Sequence, residues 1–405
     1  MSDFIPYGRH CIEEDDIAAV AAVLRSDHLT GGPVVEEFET AFAKRVGARH
    51  AVAVSSGTAG LHLASLVLGL GTGMLVIVPT LTFLATANAP IYTGAKVVFA
   101  DVDPNTGLLG PSELEEALER ADGEVKAVFP VHLNGQSVDM EALKKICDSR
   151  GIRIIEDASH ALGGEYRTTD GQWHPVGSCQ HSDMAVFSMH PVKNIAMGEG
   201  GMVTTNDDQL AQTLRRLRNH GMIREPDDFQ HSEAAFDYEG NPNPWYYEMQ
   251  ELGYNYRASA IHCALGLSQL SKLDRFLAHR QTLAAAYDQA LAPLAPDVRP
   301  IPRPAHSHHA WHLYVVHVDF HALGITRTHL MRHLHQAGIG TQVHYRPVHQ
   351  QPAYREAVGS FHLSGAGGYF ERCLTLPLNL LVSSESFPTS WVEELSKTVN
   401  GVAER

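Results

Sequence analysis

Short apolar segments alternate with segments of helical periodicity along the first half of this 405-residue chain, and no other feature limits its fold more. The predicted strands lie at residues 51–54, 75–78, 96–102, 125–131, 152–156, 184–188 and 202–205. The predicted helices between and after them lie at residues 57–68, 83–92, 111–120, 140–150 and 208–220. Because helices separate most of the strands, we expect a mostly parallel sheet that is covered on both faces.

The rest of the chain predicts flanking helices and a second region. Residues 14–48 have helical spacing that breaks at residues 29–33, whose sequence is LTGGP. The polar stretch at residues 225–244 predicts a long surface excursion. A second region begins near Gly253. Its predicted helices lie at residues 258–291, 327–337 and 391–399, and its predicted strands at residues 313–318 and 340–344.

Charge and composition exclude several classes of protein. The formal net charge of −15 argues against a general nucleic-acid-binding protein, which would need a basic face. No apolar stretch is long enough to span a bilayer, and the N-terminus lacks the pattern of a signal peptide, so we expect a cytoplasmic protein without a membrane partner. The five cysteines are scattered and form no CxxC pair, so we expect neither disulfides nor a zinc site.

Histidine is frequent, with 25 residues, and four of them lie in the tract HSHHAWH at residues 306–312. His308 and His312 would share one face of a helix, and such a pair could bind a metal. The tract follows a proline-rich segment, however, and it contains neither cysteine nor carboxylate. A loop with solvated histidines is therefore the favoured interpretation, and no metal site is predicted.

The motif SSGTA at residues 55–59 follows a predicted strand and opens a predicted helix, which is where α/β folds tend to bind ligands. Gly57 permits close approach to the backbone, and the free N–H groups at the start of a helix attract phosphate. Serine and threonine also cap ordinary helices, so this motif by itself favours a plain helix cap.

The motif EDASH at residues 156–160 ends an apolar strand with two acidic residues. An ionised Asp157 at a buried strand end could hold a protonated ring nitrogen, which the ring of pyridoxal 5′-phosphate (PLP) requires in order to accept electrons. An acid that terminates the strand and caps the next helix explains the same pattern, and by itself that explanation is favoured.

The motif SMHPVKN at residues 188–194 lies beyond another predicted strand and precedes the glycine-rich turn GEGG at residues 198–201. Lys193 is well placed there to form a Schiff base, because burial lowers the pKa of an amine and makes its lone pair available. A surface lysine in a turn is the alternative, and it is the commoner fate of lysine.

The motif GYNYR at residues 253–257 precedes the predicted long helix. Its Asn255 and Arg257 could reach a phosphate or a carboxylate group. Another capped helix start explains the motif as well, and by itself that explanation is the better one.

Taken in this order, the four motifs resemble the DegT/StrS-type family of PLP-dependent nucleotide-sugar aminotransferases. The resemblance extends from LTGGP to LTLPL at residues 374–378, and SMHPVKNIAMGEGGMVTTND at residues 188–207 is highly specific to the family. It implies an α/β fold, the type I (aspartate-aminotransferase type) fold of PLP-dependent transferases. This fold has a large, mixed, mostly parallel sheet domain, here at residues 1–252, and a small C-terminal α/β domain, here at residues 253–405.

The resemblance also implies roles for individual residues. Lys193 would bind PLP as a Schiff base, and Asp157 would pair with the pyridine nitrogen. The other implied cofactor contacts are Gly57, Thr58 and Ser188 at the phosphate, Phe83 on the ring face, His160 near the ring and its 3-hydroxyl, and Asn255 at the phosphate of the neighbouring subunit's cofactor. Candidate substrate contacts are Thr30, Arg257, His344, Tyr345 and Arg346, although a structural strand end explains residues 344–346 equally well.

The implied reaction moves an amino group from glutamate, which leaves as 2-oxoglutarate, to the keto carbon of a nucleotide-linked sugar. The segments GYNYRASAIHCALGLSQL and QVHYRPVHQQPAY look most like the branch that aminates UDP-4-keto-6-deoxy-N-acetylhexosamines in the pseudaminic-acid pathway, so C4 is the expected position. The cofactor would alternate between PLP and pyridoxamine phosphate. The role of Asn255 implies a homodimer with shared active sites.

Two departures from the family pattern flank the implied site without touching its proton chemistry. Met189 stands where an aromatic residue is common, and Ala196 with Met197 where a threonine pair is common.

Two other functions remain open. A sugar dehydratase with this fold typically carries histidine in place of the lysine, so Lys193 argues against it. A non-catalytic regulatory relative is disfavoured by the acidic charge and by the absence of a recognisable DNA-binding module.

Overall fold

The computed structural model describes residues 4–231, 233–358, 361–382 and 392–396. Its helices are α1 Glu14–Leu24, α2 Pro33–Val46, α3 Gly57–Val67, α4 Leu84–Tyr92, α5 Pro111–Arg120, α6 Met140–Asp148, α7 Asp208–Leu217, α8 Ala260–Ser271, α9 Leu273–Leu291, α10 Arg327–Gln336, α11 Pro352–Val358 and α12 Ser364–Arg372. Its strands are β1 His50–Val54, β2 Leu75–Pro79, β3 Lys96–Ala100, β4 Val125–Val128, β5 Arg153–Asp157, β6 Glu165–Arg167, β7 Trp173–Pro175, β8 Met184–Ser188, β9 Gly201–Thr205, β10 Met222–Ile223, β11 Glu248–Met249, β12 Val298–Pro300, β13 Ser307–His308, β14 Tyr314–Val318 and β15 Cys373–Leu376.

The central sheet has seven strands in the order β1-β9-β8-β5-β4-β2-β3. All of them run in one direction except β9, which is antiparallel to both of its neighbours. Strand β2, with the sequence LVIVP, is buried along its whole length because helices cover both faces of the sheet. The predicted mixed, mostly parallel sheet is therefore confirmed, and its strands and helices begin and end within about three residues of the predicted bounds.

Parallel pairing brings the carboxyl ends of three strands to one edge of the sheet. Strand β5 pairs in parallel with β8, with Asp157 opposite Val186. Strand β1 lies two positions from β8 in the sheet, runs in the same direction and ends at Val54. The motifs that begin at Ser55, Glu156 and Ser188 therefore lie side by side, although about 130 residues separate the first from the last along the chain.

A second, smaller hydrophobic core lies in the C-terminal part of the chain. The three-stranded antiparallel sheet β12-β14-β15 packs there against α10 and the second half of α9. Leu283 and Tyr287 of α9 belong to this core, whereas Leu273 and Phe276 of the same helix belong to the core around the large sheet. Because the two cores meet within one helix, the domain division after residue 252 stays a prediction.

The buried Arg280 and the half-buried Asp101 fasten the C-terminal segments to the rest of the fold. The guanidinium of Arg280, on α9, donates hydrogen bonds to the backbone oxygens of Trp311, His312 and Leu378 at 3.2, 3.3 and 2.6 Å. The carboxylate of Asp101, just beyond β3, accepts the N–H groups of Gly365 and Ala366 at the start of α12 at 2.8 and 2.7 Å. These contacts hold the C-terminal segments against the edge of the sheet where the motifs lie.

The helical predictions for the C-terminal half need one correction. The single helix predicted at residues 258–291 is two helices, α8 and α9, which meet at Lys272. Part of the helix predicted at residues 391–399 lies outside the described residues. The part that is described, residues 392–396, is helical. The short strands β6, β7, β10, β11, β12, β13 and β15 were not predicted, because two to four residues carry too little periodic pattern.

The strand predicted at residues 340–344 is wrong. The N–H of Gly340 donates to the backbone oxygen of Ile5 at 2.7 Å, and the N–H of Gln342 donates to the backbone oxygen of Thr375 at 3.2 Å. These residues therefore bond to two different segments in turn instead of to one neighbouring strand. The resulting irregular segment leads into residues 344–346, which reach the functional site described below.

The predicted surface excursion is confirmed. Strands β10 and β11 flank this segment and pair with each other, and the side chains between them include the exposed Tyr238 and Trp245. All five cysteines are free thiols. Among the described residues, no cluster of three or more histidine, cysteine or acidic side chains could hold a metal ion, and no helix is both long and apolar enough to cross a bilayer.

Candidate active site

The carboxyl ends of β1, β5 and β8 open into a cavity of about 620 Å³. The cofactor-site residues predicted from the sequence that line it are Gly57, Thr58, Phe83, Asp157, His160, Ser188 and Lys193. The candidate substrate residues that line it are His344, Tyr345 and Arg346. The fold thus brings together residues that lie almost 290 positions apart in the chain. Cavities of this size accommodate small-molecule ligands.

One end of the cavity is formed by the start of α3. The side chain of Ser56 caps this helix by accepting the N–H of Ala59 at 3.1 Å. The N–H groups of Gly57 and Thr58 find no acceptor in the described part of the chain, so they are available to an anion. A Cβ atom at Gly57 would lie 3.0 Å from the Cβ of Ser188, so glycine permits close packing of this turn against the end of β8.

The two acidic residues at the end of β5 point to opposite faces of the sheet, as side chains do along a strand. Glu156 is fully buried, and its Oε2 lies 2.9 Å from His132 Nε2. Asp157 lines the cavity instead, where its Oδ1 accepts the backbone N–H of Ser159 at 3.1 Å. Asp157 is therefore the acid that can meet a ligand, and Glu156 belongs to the core.

Lys193 lies in a tight turn between β8 and β9 and lines the cavity. Its N–H donates to the backbone oxygen of His190 at 2.8 Å. The next residue, Asn194, is buried, and its side-chain N–H₂ donates to the backbone oxygens of Leu162 at 3.0 Å and Ala310 at 2.7 Å. Loss of water around the Lys193 amine lowers its pKa to about 8, although the negative charge of Asp157 opposes this shift.

The tautomer of His160 follows from its two hydrogen bonds. The backbone N–H of Asn134 can only donate, so His160 Nδ1, at 3.2 Å, is the acceptor. The ring proton is then on Nε2, which donates to the Tyr345 hydroxyl at 3.1 Å. Burial holds the pKa of His160 well below its usual value, and the positive charge of Lys193 adds to this shift. His160 is therefore a neutral hydrogen-bond donor that orients Tyr345.

His312 is a cavity residue that the sequence analysis missed. The predicted solvated loop is wrong for this histidine, which is 4% exposed, lines the cavity and lies 4.4 Å from His160 between ring centroids. Only His308 of the tract is largely exposed. The cause is the contact of Arg280 with the backbone of His312, which draws this end of the tract inward. A local pattern carries no sign of that distant contact.

The mouth of the cavity combines an aromatic ring with polar side chains. Phe83 is 55% exposed and lies 6.1 Å from Tyr345 between ring centroids. Arg346 is exposed, and within the described part of the chain its guanidinium donates a hydrogen bond only to the backbone oxygen of Gln350, at 3.2 Å, so it remains accessible to a ligand. His344 is buried, and its Nδ1 lies 2.8 Å from Thr375 Oγ1.

Three predicted site residues do not line the cavity. The half-buried side chain of Arg257 donates to Asn219 Oδ1 at 2.5 Å, and its backbone bridges to Val54 at the end of β1. Asn255 and Thr30 are exposed, and their backbones bridge to Asn219 and Ser259. Within one chain, therefore, the structure does not bring these residues to the other predicted contacts.

The residues around the cavity fit PLP. The phosphate group matches the free N–H groups of Gly57 and Thr58 at the start of α3, beside the hydroxyl of Ser188. An acceptor-only carboxylate, Asp157, suits a protonated ring nitrogen. An amine with a lowered pKa, that of Lys193, suits the aldehyde.

A sequence model of the DegT/DnrJ/EryC1/StrS aminotransferase family matches residues 10–389. The spore coat polysaccharide biosynthesis protein SpsC of Bacillus subtilis (strain 168) is 40% identical over 378 residues, which cover 93% of this chain and 92% of SpsC.

Solved structures match over nearly the whole chain as well. Helicobacter pylori PseC, an aminotransferase involved in the biosynthesis of pseudoaminic acid, has a TM-score of 0.86 and 28% identity over 98% of this chain and 100% of its own. The PLP form of Spr1654 from Streptococcus pneumoniae has a TM-score of 0.84 and 26% identity over 98% of this chain and 99% of its own. The pyridoxamine-phosphate (PMP) form of Spr1654 matches with a TM-score of 0.85 and 26% identity, over 98% of this chain and 100% of its own.

The lowered pKa of Lys193 predicts how the capture of PLP depends on pH. Only the neutral amine attacks an aldehyde, and a pKa of about 8 means that its fraction rises about tenfold between about pH 7 and pH 9 and then levels off. Stopped-flow absorbance of the cofactor-free protein mixed with PLP measures this rate. Lys193→Arg is the control and should show no capture. A rate that keeps rising beyond about pH 10, as for an amine of ordinary pKa, would contradict the assignment.

Proposed function

The chain belongs to the DegT/DnrJ/EryC1/StrS aminotransferase family, and on that basis we propose that it transfers an amino group to the keto carbon of a nucleotide-linked sugar. The expected type I fold, aminotransferase class and PLP cofactor are confirmed by the family match and by the solved relatives. The observation that carries the proposal is the meeting of Lys193 and Asp157 at one cavity, beside the free helix start at Gly57.

Relatives support the choice of a sugar as the amino acceptor. SpsC is a polysaccharide biosynthesis protein, and PseC is an aminotransferase of pseudoaminic acid biosynthesis. We infer a nucleotide-linked 4-keto-6-deoxy sugar that receives its amino group at C4, for the synthesis of a surface glycan. Arg346 supplies a cation at the cavity mouth, which suits the phosphates of a sugar nucleotide. Glutamate is the proposed amino donor.

Residues on three sides of the cavity would hold the cofactor. Gly57, Thr58 and Ser188 would bind its phosphate, Asp157 its ring nitrogen, Phe83 one face of its ring, and His160 the region of its 3-hydroxyl. When bound, PLP supplies an electron sink that stabilises negative charge on the carbon that bears the amino group. Because burial keeps His160 neutral, its ring would bring no positive charge that competes with the cofactor for the carboxylate of Asp157.

Lys193 would also move the proton that the reaction requires. A lysine with a pKa of about 8 is present in both its neutral and charged forms near neutral pH. Its Nζ can therefore accept a proton from the carbon of the amino donor as a general base and deliver it to the carbon of the bound cofactor as a general acid. The second half of the reaction would reverse these two transfers. The Tyr345 hydroxyl, fixed by His160, can donate a hydrogen bond to the sugar.

We propose a homodimer in which each active site takes residues from both chains. Asn255 and Thr30 are exposed and lie outside the cavity of their own chain, which leaves them free to serve a neighbouring one. Leu84 and Ile91 are seven residues apart on α4 and are 38% and 42% exposed, and Phe83 at the start of this helix lines the cavity. An apolar surface next to a ligand site suits a protein partner. A partner's Asn255 would then reach the phosphate of the cofactor.

The first half of the reaction can be observed directly by absorbance. Purified protein loaded with PLP should absorb in the visible range, and glutamate should replace this band by the near-ultraviolet band of pyridoxamine phosphate. Lys193→Ala should lower turnover by at least about a thousandfold, since it loses both the anchor and the proton carrier. A band that responds to another amino acid but not to glutamate would contradict the donor. A band that ignores every amino donor would contradict amino transfer and favour elimination.

Mixed subunits test the shared site. Lys193→Ala and Asn255→Ala should each be impaired alone at limiting PLP, but a mixed dimer has one site with both residues intact. Random reassembly of equal amounts should restore about one quarter of wild-type activity, because half of the dimers are mixed and each has one intact site. Lys193→Ala mixed with Lys193→Arg is the control and should restore nothing. Activity of the first mixture equal to the sum of its components would contradict a site shared through Asn255.

A further inference from the structure

The carboxylate of Asp157 is supported from behind by two threonine hydroxyls. Thr86 Oγ1 lies 2.6 Å from Asp157 Oδ2, and Thr82 Oγ1 lies 2.7 Å from Thr86 Oγ1. All three side chains are buried. Thr82 and Asp157 line the cavity, whereas Thr86 does not. Thr86 therefore has no direct contact with the cavity, and its hydroxyl reaches the ligand site through Asp157.

Thr82, Thr86 and Asp157 form a row of hydrogen-bonded side chains. The carboxylate at its end determines the direction of both hydrogen bonds. An ionised carboxylate only accepts hydrogen bonds, so Thr86 must donate its single hydroxyl proton to Asp157. The oxygen of Thr86 is then an acceptor, and the proton between the two threonines comes from Thr82. The backbone N–H of Ser159 donates to the other carboxylate oxygen at 3.1 Å. Donors on two elements thus determine how the carboxylate is rotated.

The first turn of α4 connects this support to the ring-stacking residue. Phe83 is the residue that caps α4, and its side chain lines the cavity mouth. The N–H of Thr86 donates to the backbone oxygen of Phe83 at 3.3 Å, and the side chain of Thr86 points to Asp157. One helical turn therefore presents an aromatic ring to the cavity and a hydroxyl to the acid. The segment TFLAT at residues 82–86 supplies the ring of Phe83 and the hydroxyls of both threonines.

We propose that Thr86, supported by Thr82, is a positioning residue for the cofactor ring. Its hydroxyl stabilises the charge of Asp157 and holds the carboxylate in the orientation that meets the ring nitrogen. A hydrogen bond to a charged group is stronger than one between neutral groups, and in a buried site no water replaces it when it is removed. The inference rests on the proposed function, because Asp157 has a ring nitrogen to meet only when the chain binds PLP.

The test compares two cofactors on the cofactor-free full-length protein. Thr86→Val keeps the branched shape and removes the hydroxyl, and Thr86→Ser keeps the hydroxyl and is the matched control. Equilibrium titration should show PLP binding to Thr86→Val about tenfold more weakly than to wild type, and to Thr86→Ser within about threefold of wild type. Wild type and Thr86→Val should bind an analogue of PLP that has carbon in place of the ring nitrogen with affinities within about twofold of each other. This analogue has no ring nitrogen for Asp157 to contact.

Each outcome of this titration supports or overturns the role of Thr86 as a positioning residue. An equal loss of affinity for both cofactors, or a Thr86→Ser protein as weak as Thr86→Val, would mean that Thr86 only fills space and would overturn the inference. An unchanged affinity of Thr86→Val for PLP would overturn it as well. If Thr86→Val does not fold, Thr82→Val carries the same comparison with an expected loss of about threefold for PLP alone. A wild-type protein that fails to bind PLP at all contradicts the proposed function instead.

Discussion

The parallel pairing of β5 with β8 is the constraint on which the site depends. It places Asp157 at the end of one strand beside the turn that carries Lys193 after the other. Two opposing effects then act on the lysine, because loss of water favours the neutral amine and the charge of Asp157 favours the protonated one. Loss of water is the larger effect, and the pKa falls to about 8. An amine in this range can serve as both a nucleophile and a proton carrier near neutral pH.

The histidines around Lys193 follow the same physics. Burial holds the pKa values of His160 and His312 well below the usual range and that of His344 at about 3, and the charge of Lys193 adds to each shift. These rings therefore contribute polarity without positive charge, so they do not compete with the cofactor for Asp157. The free N–H groups at the start of α3 would attract the phosphate of a bound cofactor.

Much of this arrangement could be predicted from the sequence, because its parts are local. A buried strand that ends in acids, a glycine turn that opens a helix and a lysine before a glycine-rich turn are contiguous patterns, and the large sheet follows from the alternation of its elements. The choice of Asp157 over Glu156 agrees with the alternation of side chains along β5, which gives the cavity only the aspartate.

The features that could not be predicted depend on distant contacts. His312 enters the cavity because Arg280, 32 residues earlier, holds its backbone. The segment 340–344 is irregular because its hydrogen bonds go to Ile5 and Thr375 in turn. The row of threonines behind Asp157 joins side chains 71 residues apart, so no local pattern shows it. The roles proposed for Asn255 and Thr30 depend on a second chain and stay predictions.

The central claim is that Lys193, of all the lysines in the chain, binds PLP in the cavity that Asp157 shares. Borohydride reduction of the PLP-loaded protein makes the bond between lysine and cofactor permanent, and peptide mass mapping then locates it. The account predicts a phosphopyridoxyl group on the peptide that contains Lys193 and on no other. The same modification on a different lysine, or none on a protein that binds PLP, would contradict it.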